Sequence, residues 1–320
     1  MNTGTNAPRG LGLALIALAA LALFSAPARA ETTPDAAKDP ARVCTKCHDE
    51  SEQYPVLSIL KSKHAVTADP RTPFADQACM TCHGKSEDHR TKMAEGGERR
   101  MSPDIVFGPK SATPVAKKNE LCLTCHESGL RMHWKGSKHE FENLACTSCH
   151  TVHTGHDPVL DKVTQPDVCF TCHQNRRAEM LLPSTHPIRE GKVSCSDCHN
   201  PHGSNGPKLL AKSTVNETCY TCHAEKRGPF LWEHQPVRED CTNCHKPHGS
   251  VNASLLKVRV PWLCQQCHLQ PQHPSTAYSG SGLPTSTIPS GAQQLLVKGC
   301  TNCHSEVHGS NHPSGPRKTR

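Results

Sequence analysis

The 320-residue chain holds one sustained apolar run, Leu11–Phe24. Arg9 precedes it, Pro27 follows it, and Ala28-Arg29-Ala30 has the small-x-small form of a cleavage site. The run is short for a bilayer span, so residues 1–30 read as a secretory signal peptide and not as a membrane anchor. No later segment approaches transmembrane length, and the mature chain, 31–320, is expected outside the cytoplasm. Its pattern predicts little regular secondary structure: short helical turns where cysteines cluster, with irregular connections elsewhere. Residues 91–121 are charged and polar and read as a longer loop. Ser275–Gly291, rich in Ser, Thr, Gly and Pro, reads as an exposed loop, and the tail after His312 as flexible.

Composition changes this picture. Six Phe, three Trp and three Tyr stand against 20 Cys, 23 His and 26 Pro, so the chain lacks the side chains that fill an ordinary core. Twenty cysteines in an exported protein would usually mean disulfides. Their placement argues otherwise, because all fall in Cys-x-x-Cys pairs followed directly by His. The ten runs are Cys44, Cys47 and His48; Cys79, Cys82 and His83; Cys122, Cys125 and His126; Cys146, Cys149 and His150; Cys169, Cys172 and His173; Cys195, Cys198 and His199; Cys219, Cys222 and His223; Cys241, Cys244 and His245; Cys264, Cys267 and His268; and Cys300, Cys303 and His304.

Such a run is the attachment signature of c-type haem (heme c). Two thiols add to the vinyl groups, and the adjacent imidazole becomes the proximal iron ligand. Zinc sites and redox dithiols also use Cys-x-x-Cys but do not require that histidine. Ten covalent haems in residues 31–320 leave about 29 residues each. The macrocycles then form the core, and the fold class is a multihaem cytochrome c: elongated, with short helices around a linear chain of ten haems.

Thirteen histidines remain beyond the proximal ten. If ten of them ligate, every iron is bis-histidine, has no open position, and carries electrons. Two kinds of distal candidate recur. His153, His202, His248 and His308 follow an attachment run closely and have little room to wrap round their own haem, so they are expected on a neighbour's iron. His64, His139, His186 and His234 lie further from a run and could cap their own haem or the next. His89 and His273 complete the ten, which leaves His133, His156 and His312 as non-ligands or as replacements for His139, His153 and His308. Methionine, which raises the potential as an axial ligand, does not occur beyond Met180.

From Cys122 to Cys264 the runs start 24, 23, 26, 24, 22 and 23 residues apart, which reads as an internal repeat of one haem module. A division into five-haem halves near 180–194 is arithmetically attractive, but the gaps of the two halves do not match. The formal charge of +7 would suggest an acidic partner. Ten oxidised haems with ionised propionates, each of about one net negative charge, outweigh that surplus, so it is no nucleic-acid footprint.

The stretches CSDCHNPHGS (Cys195–Ser204), NETCYTCHAEKRGPFLWEH (Asn216–His234), CTNCHKPHGSVN (Cys241–Asn252), PWLCQQCH (Pro261–His268) and CTNCHSEVHGSNHPSG (Cys300–Gly315) resemble the periplasmic decahaem cytochromes of the MtrA/DmsE family, which includes the iron-oxidation homologue MtoA. The resemblance spans the mature chain. It implies an extended wire with bis-His ligation at all ten haems, on the periplasmic side of an outer-membrane porin-like β-barrel and partly threaded into it. It also implies an extracellular multihaem cytochrome and periplasmic or inner-membrane cytochromes as partners, with iron as acceptor or donor. On this reading the protein is no enzyme. The alternatives are a soluble periplasmic shuttle or electron store, and a catalytic multihaem oxidoreductase, which the spare histidines argue against.

Overall fold

The computed structural model describes residues 39–52, 54–97, 100–268, 300–302, 304–313 and 315. The signal peptide, the Ser275–Gly291 loop, His273 and Cys303 lie outside the described residues. All described residues other than Asp39 belong to one unit, Pro40–Arg320.

Among the described residues every helix is short, the longest being the nine-residue Val115–Leu123. None is long and apolar enough to cross a membrane. The one named sheet pairs β1 (Trp232–Glu233) antiparallel with β2 (Gly309–Ser310), Trp232 opposite Ser310. Among the described residues few apolar side chains are buried: Ala41, Phe74 and Ala78 form a small cluster with Ile59 and Ala65 packed against it, and Ile105, Trp134, Met180 and Ile188 are buried elsewhere. Phe141 and Leu130 remain 80% and 72% exposed. So little self-burial could not hold an ordinary domain of this length together.

The attachment runs come in two alternating local forms. In one, a helix begins upstream and carries the first cysteine in its last turn: Val115–Leu123 with Cys122, Gln165–Phe170 with Cys169, and Val215–Tyr220 with Cys219. Pro114 and Pro166 set the start of the first two, and the Thr214 hydroxyl accepts from the Glu217 N–H at the third. In the other form the turn begins at the cysteine itself, as in Cys146–Ser148, Cys195–Cys198, Cys241–Asn243 and Cys300–Asn302. Here the cap precedes the cysteine: Asp240 accepts from the Thr242 N–H, and Ser194 and Asp197 form a capping box.

A buried amide ties each helix to the turn that follows. Asn119 accepts from Cys146 N–H and donates to the Leu144 carbonyl, at 2.8 and 2.9 Å. Asn216 accepts from Cys241 N–H at 2.7 Å and donates to the Val237 and Arg238 carbonyls. Gln165 does the same between the Ser196 N–H and the Val159 carbonyl. The structural repeat is therefore two runs long and not the single-run module that the near-even spacing suggests. Residues 91–121 differ from expectation too. The loop ends at Pro114, after which Ala116, Lys117, Lys118, Glu120 and Leu121 favour a helix.

Candidate haem-binding sites

Nine of the ten proximal histidines face a second imidazole, with ring centroids 6.0–6.3 Å apart. The pairs are His48 with His89, His83 with His153, His126 with His64, His150 with His202, and His173 with His139. They continue with His199 and His248, His223 and His186, His245 and His308, and His268 and His234. The separation fits two imidazoles that share one iron. A metal–imidazole bond is about 2 Å long, and a ring with bonds of about 1.3 Å holds its nitrogen about 1.1 Å from the centroid. Two imidazoles on opposite faces of one iron thus lie about 6.2 Å apart.

The partners are distant in sequence and follow a rule. His153, His202, His248 and His308 each face the proximal histidine two runs before the run they follow. His64, His139, His186 and His234 each face that of the second run downstream. Neither kind faces the proximal histidine of an adjoining run; His89, facing His48, departs from the rule at the chain's beginning. Of the three other histidines, His156 Nε2 lies 3.6 Å from Asp161 Oδ2, the His312 carbonyl accepts from Trp232 Nε1, and the His133 carbonyl lies against Gly203.

The backbone places these rings. Ser184 and Ser250 exchange backbone hydrogen bonds of 3.0 and 2.9 Å, so the segment leading to His186 lies against the one leaving His248. The β1–β2 pair does the same for His234 and His308. This needs close approach behind the second histidine. At Gly249 a Cβ would sit 2.0 Å from the Glu179 carbonyl oxygen, and at Gly203 it would sit 2.2 Å from that of His133. Only glycine fits there.

Protein acceptors hold many of the rings by Nδ1. His139, His186 and His234 donate to the carbonyls of Pro201, Pro247 and Val307 at 2.7, 2.9 and 2.8 Å. His150 donates to Asp157, and His199 and His245 donate to the Lys208 and Ser254 carbonyls. With Nδ1 so engaged, Nε2 is the nitrogen left for iron. Burial pushes the protonation of His64, His153, His199, His202, His248 and His308 down, which keeps the rings neutral and able to ligate.

The thiols link successive runs. Cys122 and Cys146, Cys169 and Cys195, and Cys219 and Cys241 share hydrogen bonds that hold the second thiol of each pair down to about 7 and the first one up. Burial, with the charge of the neighbouring cysteine, raises Cys82 beside Cys125, Cys149 beside Cys172, Cys198 beside Cys222, and Cys244 beside Cys267. Runs from Cys79 to Cys264 therefore adjoin in chain order. Paired thiols for the vinyls and facing imidazoles for the iron make the donor set fit c-type haem.

Two regions, 186–228 and 234–273, match the family model described as a doubled CXXCH motif, and 79–165 matches the NrfB-like cytochrome c-type protein model. The chain is 46% identical over 272 residues to the multiheme cytochrome MtrA of Shewanella baltica, covering 85% of this chain and 79% of that one. It is 32% identical over 165 residues to the cytochrome c-type protein NrfB of Haemophilus influenzae, covering 45% of this chain and 71% of that one. The doubled motif has the same two-run period as the alternating helices and turns.

Proposed function

The chain belongs to the family of the multihaem cytochrome MtrA, an electron-transfer protein and not an enzyme, and on that footing we propose that it conducts electrons across an outer membrane through ten bis-histidine c-type haems. Each haem supplies a one-electron ferric/ferrous couple when bound. The observation that carries this reading is the set of nine facing imidazole pairs, together with thiols that adjoin in chain order from the run at Cys79 to that at Cys264. The cysteines would fix each macrocycle and the facing imidazoles would hold its iron, which would leave no place for a substrate. Acceptors at Nδ1 keep the rings in place as the iron changes charge.

On this reading residues 1–30 direct export, and 31–320 form one continuous conductor. Contacts across 180–194, such as Gln165 with Ser196 and His139 with Pro201, support continuity over five-haem halves. The protein sits in the periplasm against a porin-like β-barrel, with an extracellular multihaem cytochrome beyond and periplasmic or inner-membrane cytochromes behind. Electrons run in the direction set by those partners, with extracellular iron as the terminal acceptor or donor.

The test uses vesicles that hold a reduced viologen dye and carry the β-barrel, with ferric iron outside. The expected result is dye oxidation that requires both the barrel and this cytochrome. Equal oxidation with the cytochrome merely dissolved, or no co-purification with the barrel, would instead identify a soluble periplasmic shuttle.

A further inference from the structure

The nine imidazole pairs are not alike at Nδ1, and the differences fall in one place. In the pairs His48–His89 and His83–His153 both rings donate: to Glu52 and the Met101 carbonyl in the first, and to the carbonyls of Ile105 and Val56 in the second. From the run at Cys146 to that at Cys264 each pair has one well-held ring, His150, His139, His199, His186, His245 or His234 in turn. Between these groups stand His64 and His126. Among the described residues theirs is the one pair in which neither ring Nδ1 donates to a protein acceptor.

An acceptor at Nδ1 makes the imidazole more basic and favours ferric iron; its lack favours ferrous iron. Charge at this site acts the same way. Lys118, 3% exposed, lies one helical turn before Cys122 with Nζ on the Gly108 carbonyl at 3.0 Å. Arg131, whose Nε is buried with no hydrogen-bond partner, lies five residues after His126. Both cations favour the state with one less positive charge on the iron.

We propose that His64 and His126 make the haem position at Cys122 the most easily reduced of the nine described pairs, an electron-collecting point third along the chain. The inference rests on the bis-histidine reading above. The step is a one-electron change, ferric to ferrous, with the electron coming from the adjoining run; no bond or proton at either ring need change.

The same pair carries its own label. Its ring planes are 87° apart, nearer perpendicular than those of the other eight described pairs, whereas those of His150–His202 and His245–His308 are 7° and 12° apart. Perpendicular ligand planes leave two iron d orbitals nearly degenerate and give a highly anisotropic low-spin EPR signal; near-parallel planes give a rhombic one. An EPR-monitored redox titration of the intact holoprotein therefore reads the order of reduction directly. His64→Ala assigns the signal, which should vanish as a high-spin signal appears with haem content unchanged. Should that variant not fold, His64→Met should replace the signal with a His/Met low-spin one. As the potential is lowered, the assigned signal is expected to disappear first. If it outlasts the rhombic signals, the proposed order is overturned although the pairing stands. If every anisotropic signal is indifferent to substitution of His64, the pairing itself is overturned.

Discussion

His139 donates from Nδ1 to the carbonyl of Pro201 at 2.7 Å, and Pro201 is joined directly to His202. His139 faces His173 and His202 faces His150, so one peptide group serves the imidazoles that face two successive runs. His186 with Pro247, next to His248, and His234 with Val307, next to His308, repeat the arrangement. Neighbouring positions are thus braced through a backbone that carries no haem itself.

His248→Ala should create one high-spin haem at the run of His199, with covalent haem content unchanged and end-to-end transfer slowed. Absorption and EPR spectra of the purified variant check this. His156→Ala, whose ring meets Asp161, should leave the spectra unaltered.

Gly249→Ala should act nearly as strongly as loss of His248, because the added methyl meets the Glu179 carbonyl oxygen. The expected outcome is partial high-spin character and a stability loss of about 1–3 kcal/mol, measured by denaturant unfolding. Gly108→Ala, which meets nothing within 4 Å, is the matched control and should lose little.

Asn216→Ala should leave the Cys241 N–H and the Val237 and Arg238 carbonyls without their buried partner. A loss of about 1–3 kcal/mol is expected in thermal or denaturant unfolding, with ligation retained in the folded protein.

Asp157→Asn should raise the potential of the position at His150. The carboxylate is a charge-assisted acceptor for Nδ1 through Oδ2, and an amide that keeps the Oδ1 contacts to Thr151 and Val159 puts an NH2 donor there, so the acceptor is lost. Loss of that acceptor, worth roughly 1 kcal/mol in differential stabilisation of the oxidised state, gives about a fivefold change in the oxidised-to-reduced ratio at fixed potential, read by spectropotentiometry. An unchanged titration would show that this contact does not tune the iron.

A chain ending at Glu306 keeps all ten attachment runs yet lacks Val307, His308 and the β2 strand. High-spin signal is expected at the run of His245, far upstream of the cut, because His308 faces it. Spectra of the truncated holoprotein test this long reach.

The Cys-x-x-Cys-His runs stand out because covalent haem chemistry fixes their spacing, and the nine second histidines that face them among the described residues could be named as a set because they recur beside the runs. Their partners could not. His248 is set in place by the Ser184–Ser250 bridge and the close approach of Gly249 to Glu179, between segments far apart in sequence, which no local pattern encodes. The two-run period was hidden because a helix before Cys169 and a turn at Cys195 occupy similar lengths of chain. A weak signal did exist: Asn119 and Asn216 each stand three residues before the first cysteine of a helix-bearing run. Gln165, one residue further away, does the same work with a longer side chain.

Because distal histidines reach back or forward by two runs, parity constrains how such a chain can grow. Insertion of a single run would put odd and even positions out of step and leave rings without counterparts over the whole interval. Insertion of two runs preserves every facing pair. The heritable quantum of length in this molecule is accordingly a doublet, and a chain of odd count would need a new terminus like the one at His89.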